Sequence, residues 1–118
     1  MNLDKIVQQS FIKPRFDKVA ADAFCFQEGI TIESYLDVFT KHVVKGYLDG
    51  RFSWNHCDCA MMGLSVWVTD LFNFDSFAWE IYMAFDAGEF HPQMPELTSD
   101  EVTRPLIHQL LLEFEITL

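Results

Sequence analysis

Between residues 52 and 118 the chain has one basic side chain, Arg104, against eleven Asp and Glu, whereas residues 1–51 hold seven acids and seven bases. The formal net charge of −10 therefore belongs to the second part. A surface so short of Lys and Arg repels nucleic-acid phosphates and anionic lipid headgroups, and it attracts cationic proteins. Direct nucleic-acid binding is excluded on this reading, since Lys13, Arg15 and Lys18 beside Asp17 make only a short solvated face. Long apolar runs are also missing. The longest uncharged one, Cys59 to Val68, falls far short of the roughly 20 residues that span a bilayer, so no membrane contact is expected. Cysteines are few and odd in number (Cys25, Cys57, Cys59), and the chain opens on Asn2 and Asp4 without a basic-then-apolar leader. The expectation is a reduced, cytoplasmic protein.

What is present is apolar and aromatic. Half of the 118 residues are hydrophobic, with twelve Phe and three Trp, which separates the chain from disordered acidic tails. A domain of this length buries about 65% of the surface its unfolded chain exposes. No repeat or linker divides it, so residues 1–118 are expected to form a single domain.

The apolar period is helical nearly throughout. Leu3, Ile6 and Val7 begin one segment; Phe16, Val19, Ala20, Ala23 and Phe24 form another, with Pro14 between them. From about Ile32 to Asp49 the pattern predicts a helix with Ile32, Tyr35, Leu36, Phe39, Val43 and Tyr47 on one face, capped by Thr31 and stopped by Gly50. Cys57 to Phe72 repeats the period, and Asn73 to Asp75 breaks it. Ser76 to Ala87 is apolar almost all round, which marks a central helix covered on several sides, with Asp75 as a candidate cap. Thr98 and Glu101 are spaced as a capping box, while Pro105 predicts a kink or two short pieces before Leu106, Leu110, Leu111 and Phe114 dock. Glu113 to Leu118 alternates as a frayed helix or a short strand would. The sum is an all-α chain, a single compact bundle of five or six helices.

Candidate functional residues follow from chemistry in the wrong place. Asp86 and Glu89 stand at the C-terminal end of the central helix, and Asp70 in the last turn of the preceding one, where the helix dipole disfavours acids by about 0.3–1 kcal/mol each. Asp100 and Glu101, in a first turn, are stabilised by the dipole and are explained structurally. Asp70, Asp86 and Glu89 are therefore candidates for an interface that meets a partner's Lys and Arg. Trp54 and Phe90 fall in expected loops beside the acidic segment and are the aromatics expected to be partly exposed, with His91 adjacent; most of the remaining Phe and Trp are assigned to the core. His56, Cys57 and Cys59 lack the paired spacing of a zinc site. Asp86, Glu89 and His91 could serve a small metal-dependent enzyme, but no nucleophile with a base or phosphate-binding glycine loop accompanies them. No catalytic residue, metal or cofactor is assigned, and the protein is expected not to be an enzyme.

Phe77-Ala78-Trp79-Glu80-Ile81-Tyr82-Met83-Ala84-Phe85-Asp86-Ala87-Gly88-Glu89-Phe90-His91, followed by Asp100-Glu101-Val102-Thr103-Arg104-Pro105-Leu106-Ile107, resembles the C-terminal half of bacterial immunity proteins of contact-dependent growth inhibition systems. Those proteins carry a helix ending in an acidic FD-x-GE-aromatic turn, a polar loop and a T-R/K-P-L/M-I segment. Upstream, Trp54-Asn55-His56-Cys57-Asp58-Cys59-Ala60-Met61-Met62 is similar to their CD-x-A-M/L segment. The resemblance spans residues 52 to 112. It implies an all-helical cytoplasmic protein, monomeric until it binds and blocks a cognate toxin domain, with Asp86 and Glu89 at the interface. Many such toxins are nucleases with cationic clefts. An alternative with the same charge logic is a nucleic-acid-mimicking inhibitor or antitoxin of another target.

Overall fold

A computed structural model describes residues 2–12, 16–71 and 73–118, all helix and connection, with no strand among them. Six helices follow one another: α1 (Leu3–Gln9), α2 (Lys18–Glu28), α3 (Ile32–Leu48), α4 (Trp54–Asp70), α5 (Phe77–Glu89) and α6 (Ser99–Glu113). The radius of gyration, 13.7 Å, matches the roughly 13.5 Å of a compact chain this long. Lys13, Pro14, Arg15 and Phe72, named in the sequence reading, lie outside the described residues.

Each helix starts where a short polar side chain can take up a free backbone amide. Asn2, Asp17, Thr31, Ser53, Ser76 and Thr98 all accept in this way. Three of these starts correct or sharpen the expectation. Ser76, not Asp75, caps α5, its Oγ accepting from the Trp79 amide at 3.1 Å. Ser53 caps α4 and starts it three residues before Cys57, which puts Trp54 in a helix rather than a loop. The Thr98 and Glu101 capping box forms in both directions.

α5 is the central helix. It packs most extensively on α6 and α4 and also touches α3. Phe77, Ile81, Ala84 and Phe85 are buried from these sides. Phe77 meets Phe114 at one end of the pair with α6, and Ala84 meets Thr103 nearer the other, so α5 and α6 run antiparallel. Leu36 and Phe77 line one cleft while Tyr47 packs edge-on against Phe85, so α3 runs alongside α5 in the same direction. α1 is held against α3 by Asp4, which accepts from His42 Nε2 at 2.7 Å and from Arg51 at 3.0 Å. These bonds hold the Asp4 carboxyl below its usual value despite some desolvation.

Pro105 does not divide the last helix: α6 is one element of 15 residues. The missing amide and ring clash of an interior proline cost about 3 kcal/mol, yet the turns on both sides are anchored. Thr103 and Ile107 are fully buried, and Leu110 nearly so. No strand forms after it. Phe114 ends the helix, Glu115 takes a left-handed conformation (φ 53°), and the Glu115 and Ile116 amides turn back to the carbonyls of Leu112 and Leu111. This is the same closure that Gly50 (φ 80°) provides after α3, built here on a residue with a side chain.

α5 and α6 approach closely at Gly88. A methyl group there would lie 2.5 Å from Thr103 Oγ1, 2.9 Å from the Ser99 carbonyl oxygen and 3.0 Å from the Trp54 ring. Gly88→Ala is therefore expected to lower stability by about 1–3 kcal/mol despite alanine's higher helix propensity, as read by urea unfolding. Glu115→Gly should act in the opposite direction, stabilising by about 0.5–1 kcal/mol in the same assay.

Candidate acidic interface

α4 and α5 are joined by a short connection and run antiparallel, so the first turns of α4 face the last turns of α5. This brings Asp58 to Glu89, with which it shares a hydrogen bond, and places Asp86 close to both. Two carboxyl groups can bond only if one carries a proton. Burial of Asp58 between the helices is the main cause, and the bond to Glu89 and the charges of Glu89 and Asp86 add to it; together they push the Asp58 carboxyl up to about 8. Tyr82 stands one turn before Asp86, and its hydroxyl is raised by burial and then by the charge of Asp86. Asp86 and Glu89 are exposed at the rim.

Asp58 was not singled out from sequence as an interface residue. Its position could have been found from two patterns together: it stands in the first turns of one helix, while Asp86 and Glu89 stand in the last turn of the next. In an antiparallel pair those turns meet. Asp70 goes the other way. It is the last residue of α4, exposed, and separated from Asp58 by twelve residues, or about 18 Å of helix. Asp70 is therefore not part of the cluster.

Phe90 caps α5 in an extended conformation and is 80% exposed, a large apolar side chain in water beside Glu89. His91 is half-buried and its Nδ1 lies 2.9 Å from the Met94 carbonyl. A carbonyl only accepts, so Nδ1 holds the proton there and the ring pins the turn from 91 to 94. Trp54 is partly exposed, as expected, but it opens α4 rather than lying in a loop, and it also serves as a structural post. Its indole N–H donates to Thr103 Oγ1 at 2.9 Å, and that hydroxyl donates to the Ala84 carbonyl at 2.9 Å. The exposed aromatics that sequence did not mark are Phe26 on α2, 92% exposed, and Phe74 before α5, 42% exposed.

Most of the ion pairs lie in the first part of the chain. Lys18, Lys41, Lys45 and Arg51 each bind an acid of the first part: Asp22, Asp37, Asp49 and Asp4. Arg104 binds Asp100 at 3.0 Å and lies over the Tyr47 ring, whose hydroxyl also donates to Asp100. Among the described residues, Asp58, Asp86 and Glu89 have no cationic partner. No three His, Cys, Asp or Glu among them, Asp86, Glu89 and His91 included, are grouped so as to hold a metal ion. Cys25, Cys57 and Cys59 are unpaired thiols, and burial pushes Cys57 up to about 12, far from a reactive thiolate. Among the described residues no helix is long and apolar enough to cross a membrane. Comparison of the chain with models of protein families, with curated proteins and with solved structures finds no match.

The acid pair has a signed consequence for stability. A carboxyl raised above its unfolded value of 3.8 keeps in the native state a proton that the unfolded chain releases. Its favourable contribution is full below 3.8 and is lost as pH rises to about 8. Asp58→Asn removes the charge and keeps the shape. It is expected to raise Tm by about 4–8 °C at about pH 9 and clearly less at about pH 5, measured by thermal melts at both pH values. A rise that does not grow with pH would show that no proton is held between Asp58 and Glu89.

Proposed function

We propose that this protein is a cytoplasmic immunity protein of the contact-dependent growth inhibition type, which binds and blocks a cationic, nuclease-type toxin domain through its acidic half and has no catalytic activity of its own. The observation that carries the reading is the unneutralised charge of residues 52–118, where the one base, Arg104, is already committed to Asp100. The three segments on which the resemblance rests also converge: Gly88 packs on Thr103, Trp54 bonds the same hydroxyl, and Asp58 meets Glu89. A toxin's Lys or Arg at the acid cluster would relieve the repulsion among Asp58, Asp86 and Glu89 and displace the shared proton. Long-range charge speeds association and exposed Phe90 supplies apolar contact that slows release.

Affinity purification from the producing cells in low-salt buffer, with this protein as bait, is expected to retain a basic toxin domain in near-equal amount. Recovery of no basic partner would count against the reading. With that domain in hand, Kd should weaken by about tenfold or more between low salt and about 0.5 M salt, where the screening length falls to a few ångströms. Asp86→Ala combined with Glu89→Ala should weaken binding while leaving Tm unchanged or higher, since both acids sit at the unfavourable end of a helix. Calorimetric titration and thermal melts of the same variant separate the two effects.

A further inference from the structure

A second surface of the acidic half has the form of a receptor. α5 and α6 pair closely at Gly88 but leave an open groove of about 260 Å³ nearer the Phe77 end, lined by Glu80, Met83, Ala84, Leu106, Leu110 and Glu113. Ala84 and Leu110 form its buried floor; Met83 and Leu106 are 42% and 38% exposed in the middle of well-formed helices. From Leu106 to Glu113 the groove follows α6 for seven residues, or about 10 Å. That is the reach of the i, i+3, i+4 and i+7 anchors by which an amphipathic helix lies in a groove. Met83 suits such a seat because its unbranched thioether adapts to the side chain that arrives.

Charge selects the occupant. Glu80 and Glu113 flank the apolar floor, and neither has a cationic partner among the described residues; Gln109 donates to one oxygen of Glu113 at 2.9 Å and leaves the other for a ligand. A second copy of this chain, with a net charge of −10, would set acids against acids, and anionic lipid is repelled by the same field. We propose that the groove between α5 and α6 receives a basic amphipathic helix of the partner protein, its apolar stripe on Met83, Ala84, Leu106 and Leu110 and its Lys or Arg on Glu80 and Glu113. This rests on the reading of the acidic half as partner-facing, and it adds a surface that adjoins the Asp58, Asp86 and Glu89 cluster without using it.

The test uses synthetic peptides of about 14 residues and isotope-labelled full-length protein. A Leu/Lys peptide with Leu at helical spacing should shift the backbone resonances of Met83, Ala84, Leu106, Gln109 and Leu110. A scrambled peptide of the same composition and a Leu/Glu peptide of the same pattern should not. Leu106→Ser, and separately Glu80→Gln with Glu113→Gln, should each weaken the Leu/Lys peptide by about tenfold, while Asp86→Asn changes it by less than about twofold. These side chains are partly exposed, and a thermal melt confirms that each variant is folded. Equal binding of the scrambled peptide, shifts centred on Asp58 and Glu89, or indifference to Leu106→Ser would overturn the inference. Any of these would leave the immunity reading standing if the bait still captures a basic toxin domain. A filled groove with no toxin captured would uphold the groove and remove the immunity reading.

Discussion

The Thr103 hydroxyl holds three helices together, and the acidic face depends on it. It accepts from the Trp54 indole on α4 and donates to the Ala84 carbonyl on α5, while its own backbone belongs to α6. The bond to Ala84 is buried and the one from Trp54 partly so, and a buried hydrogen bond left unmade costs about 1–3 kcal/mol, which couples the placement of the three helices. Gly88 is the other half of this constraint, because only a residue without a side chain lets α5 approach Thr103 and Ser99 so closely. With the end of α5 fixed against the start of α4, Asp58 has no position except beside Glu89.

The bundle thus maintains a repulsive arrangement by means that lie outside it. The acids of the cluster weaken the fold when ionised, and the helix dipole adds to the penalty at Asp86 and Glu89. The opposite half of the molecule is built differently. There each ion pair ties neighbouring turns or docks α1, as Asp4 does with His42 and Arg51. Bases are spent locally in one half and withheld from the other. The proposed binding of a cationic partner rests on this separation of charge.

The α5 and α6 pair serves both parts of this design. At the Gly88 end it closes so tightly that a methyl group on residue 88 would collide with Thr103 and Ser99. Toward Phe77 and Phe114 it opens, and Met83 and Leu106 face solvent across the gap. One interface therefore supplies the rigid end that positions the carboxylates and the open end that leaves apolar surface uncovered.

Much of this was legible in the chain. Helical period identified α3, α4, α5 and α6, the cap residues placed the starts of α3 and α6, and Asp86 and Glu89 were marked by standing where the dipole disfavours them. Those features are local: each depends on residues within a turn or two, and their physics is complete in the sequence. The remainder was decided by contacts between distant segments. Trp54 ties α4 to α6 because Thr103, 49 residues away, offers its hydroxyl. Pro105 is carried inside α6 because Thr103, Ile107 and Leu110 are buried against the rest of the bundle. Asp70 and Asp58 lie at opposite ends of α4, and the antiparallel pairing of α4 with α5 leaves the first at the far end and raises the other's pKa beside Glu89. The sequence determined the helices and the sign of the surface; which acids share a proton required the packing, because a proton is shared only across a distance the fold sets.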